Sequence, residues 1–277
     1  MLHVVLVISG FVVGVFINWL ADELPLYRMP MRPSFSNGKP RPLVQMSGLI
    51  ASVMNRDRVM KPTRYIAVEL GTPVLFVGIW QRIDWIQTYS SNLHMNPAQS
   101  ILWMIYLALF ILVIVIDLEH RLILYSVMIP MALLAMTDAA WSHVFIAEPH
   151  IWEALLGGAL GFTVFFVVYL GGFLYVRISS KLRSTPSDAV AFGFGDVILS
   201  FVAGLILGWR WMIFAVLIAL ILGAMGAMLY VIGQGILRKR NAWLTPMPFG
   251  PYIVASTMLL LYYSDFVRAV LLLVTLD

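Results

Sequence analysis

Asp117 and Asp196 are the residues of this chain whose type and placement most directly suggest chemistry. Asp117 ends the apolar run 101–116, and Asp196 follows Gly193-Phe194-Gly195 at the head of another apolar run. A carboxylate inside a bilayer helix costs about 2.5–3.5 kcal/mol on insertion scales, so such groups are usually paired or functional. Two carboxyls about 3 Å apart do not both ionise readily, and the pair retains one proton. That proton belongs to the pair and not to either residue. One carboxyl then draws a proton from water while the other protonates a carbonyl oxygen, which is the chemistry of peptide hydrolysis. The plainer reading is that each Asp caps a helix or pairs with Arg121 or Lys181.

Other residues fit around that pair. Gly193 and Gly195 let the backbone bend and let a substrate strand come close to Asp196. They are not a dinucleotide fingerprint, because no strand precedes them and no third glycine follows at the required spacing. Glu69 is a further acid at the start of an apolar segment. It either binds a lysine or the new amino terminus of a substrate, or forms a salt bridge with Arg64. His120 lies three residues after Asp117 and shares its helical face, so it either assists proton transfer or hydrogen-bonds a neighbour. His94, His143 and His150 have no metal-ligand spacing, and the chain has no cysteine. No metal is expected.

The elements that must position these groups follow from composition. Of 277 residues, 61% are hydrophobic and 12% charged, with a mean hydropathy of +0.90. A soluble domain carries about 25% charged residues. The chain is therefore read as an all-α polytopic membrane protein. Apolar stretches of about 20 residues span a bilayer as helices. About eight are predicted, at 2–21, 65–83, 99–117, 121–138, 152–176, 194–209, 211–234 and 249–274. The stretch 1–20 lacks a basic start and a small-residue cleavage site, and is read as the first membrane helix rather than a removed signal. Pro130 interrupts the fourth span, and Gly208-Trp209-Arg210-Trp211 makes a tight turn between the sixth and seventh.

Basic residues set the orientation. Arg28, Arg32, Lys39, Arg41, Arg56, Arg58, Lys61 and Arg64 lie in the loop 22–64; Arg177, Lys181 and Arg183 precede the sixth span; Arg238, Lys239 and Arg240 precede the eighth. With Arg121, they alternate onto one side, which is then cytoplasmic, with both termini outside. Asp117 and Asp196 fall at the same cytoplasmic depth. The net charge of +4 reflects these loops, and no nucleic-acid partner is implied; the loop contacts anionic lipid. Its stretch 44–55 is the one part read as a helix. Tryptophans near span ends form an interfacial belt, and Gly157, Gly158 and Gly161 form a face for helix packing. The whole chain 1–277 is read as one membrane-embedded domain, with the loop 22–64 inside it and a peptidase core over 99–277.

Several motifs, in order along the chain, resemble those of the prepilin peptidases, the GxGD aspartic proteases that process type IV pilin and type II secretion pseudopilin precursors. They are Gly14-Val15-Phe16-Ile17-Asn18, Thr63-Arg64-Tyr65 with Glu69-Leu70, Asp117-Leu118-Glu119-His120-Arg121-Leu122-Ile123, Gly193-Phe194-Gly195-Asp196-Val197, Gly208-Trp209 and Pro248-Phe249-Gly250-Pro251. The resemblance implies eight spans, Asp117 and Asp196 as the catalytic pair, and a plasma-membrane enzyme with its site facing the cytoplasm. It implies a membrane-anchored precursor with a basic leader, cleaved just after a glycine. Leu124 stands where the family usually has proline. Many members hold zinc with two Cys-x-x-Cys pairs in the first loop, and this chain has none. Many also methylate the new amino terminus with S-adenosylmethionine. That cofactor enters only if methyl transfer is retained, and this chain diverges most in the region concerned.

Two other function classes use buried carboxylates. A proton-coupled transporter tends to place them at the midplane of repeated halves, whereas these lie toward one face and no repeat is visible. A non-catalytic assembly factor of a pilus or secretion machine is the third reading.

Overall fold

The structure is a computed structural model that describes residues 1–26, 42, 45–54, 61–89, 97–145, 149–183, 193–238 and 248–275. Arg28, Arg32, Lys39, Arg41, Arg56, Arg58, His94, Lys239, Arg240 and Trp243 lie outside the described residues. The elements are α1 (Leu2–Glu23) with a 3-10 turn (Leu24–Leu26), α2 (Gly48–Met54), α3 (Pro62–Tyr89), α4 (Pro97–His120), α5 (Tyr125–Phe145), α6 (Ile151–Arg183), α7 (Phe194–Arg238) and α8 (Gly250–Thr275). All are helical, as apolar segments in lipid require, because a helix satisfies its own backbone. The protein is a polytopic membrane protein.

Each of the eight expected spans falls on a helix. Two of them, 194–209 and 211–234, are the two arms of α7. Five helices among the described residues are long and apolar enough to cross a bilayer, and the apolar part of α5, Tyr125–Trp141, is shorter. One of the five, Phe194–Gly233, has 40 residues. A straight helix of that length would run about 60 Å, twice a hydrocarbon core. The helix instead breaks at Gly208, where φ is 74° and ψ is 166°. A residue with a Cβ is strained there. Pro130 lies inside α5 without ending it, so the expected interruption does not occur. The break comes earlier, in residues 121–124, where Arg121 takes φ 54°. The loop helix is shorter than expected and covers Gly48–Met54.

The chain divides into two compact units, Met1–Leu124 and Tyr125–Asp277. In the first, small residues let α1 lie close against α3. A Cβ on Gly10 would come within 2.7 Å of Pro73 Cα, and one on Gly14 within 3.0 Å of Glu69 Cα. Pro73 has no N–H to give the carbonyl of Glu69, four residues earlier in α3. Ala51 of α2 is buried with Tyr65 of α3.

In the second unit α6 and α7 pack through glycine. A Cβ on Gly157 would lie 2.6 Å from Gly208 C, and one on Gly204 2.8 Å from Gly158 N. The Gly157, Gly158 and Gly161 face is thus a packing face, since close backbone approach supplies the dispersion contacts that lipid cannot. Ser200 Oγ adds a cross-helix bond to Gly161 O at 3.1 Å. Phe249, from Pro248-Phe249-Gly250-Pro251, lays its ring where a Cβ on Gly223 would be and meets Phe165 at 5.9 Å. That seats α8.

Candidate active site and its supporting clusters

Asp117 lies in the last turn of α4 and is only 4% exposed. The amide of Arg121 donates to its backbone carbonyl at 2.9 Å, closing the helix. The left-handed Arg121 then turns the chain away at once. The sequence places an acid at the end of a long apolar helix, and the helix buries it.

Asp196 lies in the first turn of α7 and is 7% exposed. Its amide donates to Gly193 O at 3.2 Å. Gly193 itself is exposed. A Cβ there would stand 3.6 Å from Asp196 Oδ2, so the glycine lies beside the carboxyl without shielding it. Phe194 packs edge-on against Tyr169 at 5.7 Å, which steadies the entry to α7.

The first unit carries two polar clusters. In one, Glu69 has no exposed surface. It accepts from Asn18 Nδ2 at 3.1 Å, Gly48 N at 2.7 Å and Leu49 N at 3.1 Å. Ser47 Oγ donates to it as well. Four donors on two oxygens are what an ionised carboxylate accepts, and each bond to a charged group contributes about 1.5–3 kcal/mol. The second cluster is ionic. Arg64 contacts Asp22 Oδ1 at 2.8 Å and Glu119 Oε2 at 2.9 Å. Lys61 reaches Glu119 at 2.8 Å, and Tyr65 Oη donates to Asp22 Oδ2 at 2.6 Å. These bonds tie α1, α3 and α4 together, two residues beyond Asp117.

The salt bridge expected between Glu69 and Arg64 is therefore replaced. Arg64 pairs with Asp22 and Glu119, while Glu69 takes neutral donors. Lys61, expected only to meet lipid, belongs to the ionic cluster. His120 is 31% exposed and stands 3.8 Å from Glu119. The ionic cluster was missed from sequence, although Glu119 lies inside the Asp117 motif and Arg64 and Tyr65 inside Thr63-Arg64-Tyr65. Asn18 was noted for its motif alone. Among the described residues no three His, Asp or Glu side chains converge as a metal set.

Residues 104–228, which hold Asp117, Gly193, Gly195 and Asp196, match the model of the type IV leader peptidase family. A prepilin leader peptidase/N-methyltransferase of Stutzerimonas stutzeri is 26% identical over 155 residues, 56% of this chain and 46% of that relative. The chain thus spans about half the length of the curated relative it matches. No solved structure matches it. Residues 104–228 thus resemble the type IV leader peptidase family, and both matches agree with the buried carboxyls and the Gly-x-Gly-Asp turn.

Proposed function

We propose that this chain is an intramembrane aspartic endopeptidase that removes the basic leader of type IV prepilin or type II secretion pseudopilin precursors. The supporting observation is that Asp117 and Asp196 are both buried, at 4% and 7% exposure, within the stretch that matches the leader peptidases. In this reading the two carboxyls meet in one site and share a proton. One deprotonates water as it attacks the scissile carbonyl, and the other protonates the carbonyl oxygen. Collapse of the tetrahedral intermediate returns a proton to the leaving amine. Gly193 and Gly195 admit the substrate strand beside Asp196. The basic loops support a site at the cytoplasmic face of the plasma membrane, with both termini outside.

Zinc bound by thiolates does not fit this chain, which has no cysteine. For methyl transfer with S-adenosylmethionine, Asn18 is engaged with Glu69 and Arg64 with Asp22 among the described residues of the first unit. No step through that cofactor is built on them.

The test is co-expression with a prepilin carrying a basic leader, followed by mass measurement of the product. Cleavage after the leader glycine is expected. Intact precursor beside a properly inserted enzyme would overturn the reading.

A further inference from the structure

Glu69 is the buried charged group for which peptide hydrolysis has no direct use. Its four donors come from two directions. Asn18 belongs to α1, whereas Ser47, Gly48 and Leu49 form the start of α2. The amide of Ile50 donates to Ser47 Oγ at 3.3 Å. The first three amides of α2 are thus satisfied, two of them by a side chain from another helix. A helix of seven residues has little stability of its own. Its position depends on what holds its start.

The surroundings match that role. Gly48 is buried, and a Cβ on it would stand 2.6 Å from Tyr65 Cβ. Ala51 has no exposed surface and Ser52 only 5%. Val53, by contrast, is 77% exposed. One face of α2 is pressed onto α3, and the carboxylate anchors that face at its first turn. Gly14 lets α1 come close enough for Asn18 to reach Glu69.

We infer that Glu69 is a buried clasp that fixes the first-loop helix α2 against α1 and α3, and so acts as a positioning residue for substrate and not as a reader of leader charge. The clasp stands on the geometry of the first unit. Its consequence for substrate rests on the peptidase reading above.

The test uses the full chain in membrane vesicles. Because the chain has no cysteine, Ser52→Cys supplies one thiol, and its labelling by a water-soluble maleimide reports exposure. Labelling should be slow with Glu69 intact and roughly tenfold faster in Glu69→Gln, as local opening is favoured. Val53→Cys should label equally fast in both. Should Glu69→Gln fail to accumulate, Gly48→Val releases α2 with the carboxylate intact and should expose Ser52→Cys equally. An unchanged Ser52→Cys rate in whichever of these variants accumulates would overturn the clasp. The second readout is cleavage of a basic-leader precursor. Glu69→Gln should raise KM with kcat little changed, and by the same factor when the leader lysines are replaced by glutamine. A KM effect that disappears with those lysines would mean that Glu69 reads leader charge, and would overturn the positioning role. If the wild-type chain cleaves no precursor, the peptidase reading fails while the labelling still decides the clasp.

Discussion

Arg64 Nη1 meets Glu119 Oε2 at 2.9 Å, joining α3 to α4 two residues beyond Asp117. Arg64 also donates to Asn18 O at 3.3 Å and lies over the Tyr65 ring at 4.4 Å. A single guanidinium therefore ties α1, α3 and the Asp117 end of α4. The planar fork with several donors suits arginine, and lysine would not make these bonds together.

Asp117→Asn and Asp196→Asn should each lower precursor cleavage by at least about 100-fold while insertion and expression persist. Amide for carboxyl keeps the volume and removes the acid–base step, which is worth roughly 10²–10⁴-fold. Cleavage of a co-expressed precursor, read by gel shift, measures it. A near wild-type rate in either variant would remove that residue from the mechanism.

Glu119→Gln should destabilise the first unit by about 1–3 kcal/mol, since two charged hydrogen bonds are lost at a mostly buried position. Thermal unfolding of the detergent-solubilised protein measures this. In a double-mutant cycle with Arg64→Gln the losses should be less than additive, because the two residues share one contact. Strict additivity would show the pair to be energetically idle.

Gly157→Val and Gly204→Val should each destabilise strongly, by several kcal/mol in the manner of overpacked cores. An added side chain at either place would displace the facing backbone. Gly71→Ala and Gly171→Ala are the controls, because a Cβ at those positions meets nothing within 4 Å. Those two should be neutral or stabilising by up to about 1 kcal/mol. Comparison of the four melting temperatures decides it.

Peptidase activity should survive strong chelators. The proposed chemistry uses carboxyls and water, and the chain offers no thiolate ligand. Activity lost on adding EDTA and restored by zinc would reveal a ligand set of other residues.

Replacing Arg56 and Arg58 by glutamine should weaken association with anionic vesicles, at up to about 1 kcal/mol per charge, and leave cleavage largely intact. Lys61→Gln should instead lower stability, because Lys61 bonds to Glu119. Vesicle flotation and thermal unfolding separate the two effects. Lost cleavage in the Arg56 and Arg58 variant would put the loop's charge in the substrate site.

Much of the architecture was legible in the sequence because bilayer physics acts on runs of residues. Apolar stretches near 20 residues become helices wherever water is absent. The Gly208 turn and the glycine face of α6 could be read for the same reason, since few residues besides glycine permit such backbone angles or such close approach. The sequence by itself also placed Asp117 and Asp196 at the ends of apolar runs, where helices bury them.

Polar partnerships were decided by tertiary structure alone. Arg64 and Glu69 are five residues apart, so on a helix they point about 140° away from each other. Spacings of three or four bring side chains together, and five does not. The real partners of Glu69 come from Asn18 and the start of α2, those of Arg64 from Asp22 and Glu119. No local pattern encodes such pairs. A buried carboxylate takes whichever donors the packed helices bring to it, and only the packing of α1, α2, α3 and α4 settles which those are.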